Sequence, residues 1–494
     1  MKTLLALLTI ACTMVVLGAA EKKILLVQVA HRHGARTPLV SVNDTIICGT
    51  AGCGQLNKQG KNMLTQVGAW ARQRYIENID PNIGFMSSLN EYSPNYVASR
   101  STNIARTLQS ADGFIRGLYP NLTDFFPVIS TVSFWEDTLL LVDALPAFHL
   151  PATIDRTTLY ETVAPYVLNK ISKADLQRMG RELSLDGVCD VPNFYVTNCA
   201  LQAQDVVAAY YSTGQITAYP FSATLRIQLN DIREYWNSFL FPYHKSDPVD
   251  KAHGSFGQNL AQEMIQSMLD KINNTQMLPF FLKEYSAHDT TVMPLCTTLG
   301  QNGMMLPLFG QSYFLELLED TAANASPKHF VRGWYGAPEQ GVGPNTFTPS
   351  PFPLTCMRAD GSTYNTTDDC PLEEFIRFVD SSKAENPEGL CYVTPSTLQK
   401  VDCADPRNSS TPSDSLCQFY RDHCPGTACG DHHYLNQTDL TCNALFVQEA
   451  GVGRGTTALI AIVSAAAGAL IGAVIMKLFA SRANRGNGDY KDLA

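Results

Sequence analysis

The segment Arg32-His33-Gly34-Ala35-Arg36-Thr37-Pro38 sets two arginines around one histidine, directly after the apolar run Ile24 to Ala30. A run without polar alternation predicts a buried strand of a parallel sheet. The polar turn at its carboxyl end is where open α/β sheets place their ligand sites. Arginine keeps its charge and presents a planar fork of donors. Two of them beside an imidazole therefore suit a tetrahedral oxyanion, phosphate above all, held against a nucleophile or base. Two further segments repeat the arrangement. Tyr96 to Ser99 predicts a short strand, followed by Arg100-Ser101-Thr102 and a helix over Asn103 to Gly117. Phe280 to Ala287 predicts a strand that delivers His288-Asp289, with a helix over Thr290 to Leu299 behind it.

Cleaving a phosphomonoester without a metal takes a nucleophile, cations on the equatorial oxygens and an acid for the leaving alkoxide. His33 fits the first role, because a neutral imidazole can form a phosphoramidate that water later breaks. Arg32, Arg36 and Arg100 would hold the oxygens and His288 would add a donor. Asp289 would protonate the leaving group. It must then hold its proton in the complex, which the negative charge of bound phosphate favours, and an acid working range is expected. No cofactor is called for.

The motifs Arg32-His33-Gly34-x-Arg36-x-Pro38, Leu64-Thr65-x-x-Gly68, Arg100-Ser101-Thr102 with Arg106-Thr107-Leu108, Tyr285 to Thr291, and Cys370-Pro371-Leu372-x-x-Phe375 occur in one order. On them the chain resembles the histidine acid phosphatases, and among these the lysosomal, prostatic and membrane-bound group. The resemblance implies an α/β three-layer sandwich with a mostly parallel central sheet and an inserted, mainly helical cap. It implies that His33 is phosphorylated, that Arg32, Arg36, Arg100 and His288 bind phosphate, and that Asp289 donates the proton. Where the group often has acidic residues, this chain carries Asn103 and Ala105.

Three neighbours read as structural. His31 and His33 form a His-x-His pair, but no carboxylate-rich ligand set accompanies them and no metal is expected. Arg106 reads as a salt-bridge or packing residue of its helix, and Glu316 likewise.

The elements that must carry this chemistry lie in a chain of 494 residues with 45% hydrophobic content, enough for a large core, and a formal charge of −10, which argues against nucleic acid as a partner. Residues 1–20 read as a cleavable signal peptide. The phosphatase ectodomain is expected over 21–390, with a core of 21–144 and 275–390 and a cap of 145–274. A cysteine-rich stalk follows over 391–455. The uncharged stretch 456–476 is long enough to cross ~30 Å of hydrocarbon at ~1.5 Å per residue. Lys477, Arg482 and Arg485 behind it put the tail 477–494 in the cytosol. The expected topology is therefore type I, in the endosomal or lysosomal system or at the cell surface. Gly468-x-x-x-Gly472 offers a face for homodimer pairing. Tyr490-Lys491-Asp492-Leu493 resembles a sorting signal for a clathrin adaptor.

Cys48 with Cys53, Cys189 with Cys199, and Cys356 with Cys370 are close enough to close small loops. The six cysteines from Cys391 to Cys442 leave their connectivity open, and Cys296 reads as a buried free thiol. Sequons at Asn43, Asn121, Asn273, Asn324, Asn365, Asn408 and Asn436 predict a glycosylated surface. Two other classes compete. A metal-dependent hydrolase on His31, His33, His288 and Asp289 would lose activity to a chelator. A non-catalytic membrane glycoprotein receptor retaining the fold would show no turnover. Within the leading class, a phytase or a lysophospholipid phosphatase is the narrower rival.

Overall fold

The computed structural model of the protein describes residues 22–121, 125–215, 223–405, 410–429 and 433–444. The leader 1–20, the span 456–476, the tail with Tyr490 and Leu493, and Asn408 lie outside the described residues. Among those described, no helix is long and apolar enough to cross a membrane.

The first strand, β1 (Lys22–Arg32), extends the predicted run at both ends. It is followed by α1 (Lys58–Tyr75), whose start is fixed by Asn57 accepting from the Gly60 amide at 2.8 Å. Then come β2 (Val97–Ser101), α2 (Ala105–Leu118) and β3 (Ile129–Ser130). A helical stretch follows: α3 (Pro146–Ile154), α4 (Arg156–Lys170), α5 (Lys173–Glu182), α6 (Val196–Thr213), α7 (Ala223–Asn237) and α8 (Gln258–Asn273). The chain returns through β4 (Leu282–Ala287), α9 (Asp289–Thr298), β5 (Ser312–Asp320), β6 (His329–Gly336), β7 (Ser350–Phe352), β8 (Leu354–Met357), β9 (Thr363–Thr366), β10 (Cys370–Pro371) and α10 (Leu372–Asp380).

The main sheet runs β10-β6-β5-β1-β4-β2-β3, with β7 paired to β6. Its central strands β1, β4 and β2, with β3, are parallel, while β5, β6, β7 and β10 pair antiparallel. One face is covered by α1 and α2, where Val27 and Val29 pack with Leu64, Val67 and Phe114. The other face carries α8 and α9, where Leu26 and Ala30 meet Met264, Met268 and Val292. Helix, sheet and helix form the three layers of the fold.

The helical insertion ends earlier than the sequence suggests. Helix α8, inside the expected cap 145–274, lies on the sheet instead, with Gln28 Nε2 donating to the Met264 carbonyl at 2.8 Å. A 3.6-residue apolar period states that a face is buried, not what buries it. The helices α4 to α7 pack around a separate core of Val163, Val167, Leu201, Val206, Leu229 and Ile232. Of the expected stalk 391–455, residues 391–405 and 410–429 pack on α3, with Val393, Val401 and Tyr420 around Leu150.

Disulfides join Cys48–Cys53, Cys189–Cys199 and Cys356–Cys370, and also Cys391–Cys424, Cys403–Cys417 and Cys429–Cys442. Cys296 is a buried free thiol. Asn43, Asn121, Asn273, Asn324 and Asn365 are exposed and Asn436 is half-buried.

Candidate active site

Strand register gathers the site. In the parallel ladders Arg32 faces Ala287, and Ser101 faces Ser286, so the next residue of each chain leaves the sheet at one edge. His33 donates its amide to the Ala287 carbonyl at 2.9 Å, and Thr102 donates to that of Ser286 at 3.2 Å. His33, Thr102 and His288 are therefore neighbours, the imidazoles lying 5.6 Å apart between ring centroids.

Gly34 follows from the same packing. A Cβ on it would lie 2.1 Å from the Gly60 carbonyl oxygen, so only glycine lets β1 turn against α1.

His33 is buried, and its Nδ1 lies 2.8 Å from the Gly34 carbonyl oxygen. A carbonyl only accepts, so Nδ1 carries the proton and the lone pair sits on Nε2. Burial, then Arg32, Arg36 and Arg106, hold the imidazole well below its usual pKa. Burial and these cations favour the neutral ring, with its lone pair on Nε2.

His288 accepts at Nδ1 from Arg106 Nη2 at 3.4 Å. Its Nε2–H therefore faces Thr102 Oγ1 at 3.0 Å, and Thr102 Oγ1 is 2.8 Å from Thr107 Oγ1. Arg106, which can only donate, sets the tautomer. Burial and the neighbouring Arg106 bring the His288 pKa down to about 3.

The arginines differ from expectation. Arg32 donates Nη1 to the Pro307 carbonyl at 2.6 Å and pairs through Nη2 with Asp289 at 3.0 Å, its guanidinium 4.5 Å above the Phe309 ring. Arg36 makes a two-pronged pair with Asp205 at 2.8 and 3.0 Å. The third cation is Arg106, not Arg100. Helix α2 starts at Ala105, so Arg106 stands in its first turn at the strand-end side of the sheet and reaches His288. Burial and the nearby Arg36 lower its pKa to about 10. Arg100 carries its guanidinium to the buried Asp137 at 2.7 Å and to the Ser101 carbonyl, and among the described residues it contacts neither histidine. The Nε–H groups of Arg32, Arg36 and Arg106 are buried without partners.

Asp289 opens α9. Burial pushes its carboxyl up, but Arg32, Arg233 and Arg36 outweigh that and bring it down to about 2. Without a ligand it is ionised, where the sequence-based expectation has a proton.

Other neighbours read as structural in sequence keep that role. His31 is fully buried with Nε2 2.8 Å from Glu284, which also accepts from Ser99 at 2.7 Å. Glu316 is held by Arg74 at 2.6 Å and by the Tyr75 hydroxyl at 2.9 Å. Among the described residues no group of three or more His, Cys, Asp or Glu is placed for a metal ion.

Sequence reasoning missed Asp205 and Phe309. Asp205 had one visible signal, as the single charged residue of α6. Phe309 had none, because the loop that brings it over Arg32 has no pattern of its own.

The sequence pattern of the histidine phosphatase superfamily (branch 2) matches residues 23–336. Lysosomal acid phosphatase of Rattus norvegicus is 27% identical over 403 residues, covering 78% of this chain and 84% of the relative. Prostatic acid phosphatase of the same species is 26% identical over 375 residues, covering 73% and 86%. The solved phytase from Citrobacter braakii superposes with a TM-score of 0.50 at 14% identity, over 73% of this chain and 98% of that one, a likeness of fold alone. With a buried imidazole at the end of β1, arginines around it and a pattern match across β1 to β6, the chain belongs to the histidine phosphatase superfamily, branch 2.

Proposed function

We propose that the protein is an acid phosphatase that hydrolyses phosphomonoesters through a phosphohistidine, with no metal in the reaction. The carrying observation is the His33 Nε2 lone pair facing three arginines whose buried Nε–H groups lack partners. A phosphoryl group among Arg32, Arg36 and Arg106 supplies acceptors for those donors and draws Arg32 from Asp289. The carboxyl then loses its strongest cation beside an added anion, and its pKa rises. His33 Nε2 attacks phosphorus as the P–O bond to the alcohol breaks, and Asp289 gives its proton to the departing oxygen. Water next attacks the P–N bond, Asp289 takes a proton back, and phosphate leaves with His33 restored. His288, donating to Thr102 and accepting from Arg106, positions Arg106.

The test is chemical. Labelled substrate quenched rapidly without acid should leave label on His33, and His33→Ala should leave none. Label on a serine or cysteine would sink the assignment.

The named relatives also bear on location. We infer an enzyme of the lysosomal system, made with the leader 1–20, anchored by 456–476 and sorted through Tyr490 and Leu493. Tyr490→Ala should move the steady state toward the cell surface without changing activity in lysates. An unchanged distribution would assign sorting to the lumenal part.

A further inference from the structure

We propose that the cap wall of the active-site cavity is a second anion subsite, formed by Arg156 and Arg233 about Tyr160, so that preferred substrates are phosphomonoesters carrying a second anionic group. The inference rests on the phosphatase reading above and names its substrate class.

The cavity holds about 410 Å³, room well beyond one phosphoryl group, with Arg32, Arg36 and Asp289 on its floor. Arg156, Tyr160 and Arg233 line it from the cap. Arg156 is the first residue of α4, is exposed, and has no carboxylate within pairing distance among the described residues. Arg233 comes from α7 and spends its donors on neutral acceptors, Nε toward Gln204 Oε1 at 3.3 Å and Nη2 toward the Leu201 carbonyl at 3.1 Å. Both guanidiniums act on one phenol. Arg156, Tyr160 and Arg233 line the same cavity, and burial raises the Tyr160 pKa while Arg156 and then Arg233 lower it.

The nearest acids are each partly engaged: Asp143 lies within the field of Arg156, and Asp205 and Asp289 within that of Arg233. Burial favours the uncharged form of both Asp143 and His149, which line the same wall. Asp205 is occupied with Arg36 and Asp289 with Arg32. Trp236, 5.2 Å from the Tyr160 ring, offers an apolar face to a carbon skeleton bridging floor and wall. Two guanidiniums without a direct carboxylate partner among the described residues, lining one cavity, attract anions, since low-dielectric walls focus their field. Arg156 takes no part in the phosphoryl transfer described above, and Arg233 touches it only through its field on Asp289.

A ladder of α,ω-alkanediol bisphosphates against the matching monophosphates, assayed with the full-length protein, tests this. The best bisphosphate should show a KM at least tenfold below its monophosphate, with an optimum at one chain length. In Arg156→Ala that ratio should fall below twofold, and Arg156→Lys should restore part of it. An equal advantage at every length, or one that survives Arg156→Ala, overturns the subsite while leaving the phosphatase reading intact. Absence of turnover on every monophosphate overturns both.

Discussion

Arg100 and Arg106 share a short segment and a head group, yet their surroundings give them different work. Arg106 borders both histidines and keeps a free buried donor. A hydrogen bond to a charged group contributes about 1.5–3 kcal/mol, so Arg106→Ala should weaken inhibition by inorganic phosphate on the order of 10- to 100-fold. Arg100→Ala strands Asp137, which is 1% exposed. Breaking such a pair costs about 3–5 kcal/mol, so this variant should lose stability in urea while its phosphate Ki stays within about twofold of the wild type. The reverse pattern would return Arg100 to the site. Asp289→Asn should cut kcat on alkyl phosphates by roughly 10²-fold, as loss of a general acid does, and spare esters whose phenolate leaves unaided. The carboxyl is ionised down to about pH 2 when free and is raised in the complex. Phosphate binding therefore takes up a proton, and affinity gains as pH falls between the two values. That excess slope in the phosphate Ki should vanish in Asp289→Asn.

At the scale of elements, the site depends on how closely two helices and a strand end approach. Helices α1 and α2 meet through Gly68 and Gly117, whose added Cβ atoms would lie 2.0 Å from the Phe114 and Thr65 carbonyl oxygens. The contact is backbone on backbone, so no rotamer change relieves it. Overpacking of this kind costs about 1–3 kcal/mol or more. Gly68→Ala should lower the urea midpoint, while the folded fraction still forms phosphohistidine. Gly34→Ala should impair both, because the residue it pushes against Gly60 adjoins His33. Equal kcat in Gly34→Ala and the wild type would show that the turn tolerates the shift.

For the whole molecule, burying two neutral imidazoles ties stability to pH. Their folded pKa values lie below the ordinary ~6.5, well below for His33 and at about 3 for His288. Protonation therefore favours the unfolded chain. The stability they contribute is complete above about pH 6.5 and is lost as pH falls from there toward the folded values. Asp289, depressed to about 2, weakens the fold only below about pH 4. Of these three site groups the histidines set the slope between these limits, and at pH 5 His288 alone costs on the order of 2 kcal/mol. The thermal midpoint should drop from pH 7 to 4.5, less steeply in His288→Asn. Phosphate should recover part of the loss by binding the folded state.

The sequence by itself determined the strand ends and the residue types standing on them. The runs of β1 and β4 and the polar residues after them follow from local composition, and so do His33, His288, Asp289 and the three short-range disulfides. Tertiary structure alone decided which arginines join them. Arg100 lies on β2 and Arg106 in the first turn of α2, whose start at Ala105 is two residues beyond the expected Asn103. Asp205 and Arg233 enter from α6 and α7, and Phe309 from a loop, across sequence distances that no local period encodes. Whether Asp289 holds its proton was likewise beyond the sequence, because its charge is set by guanidiniums that only the folded chain brings within reach.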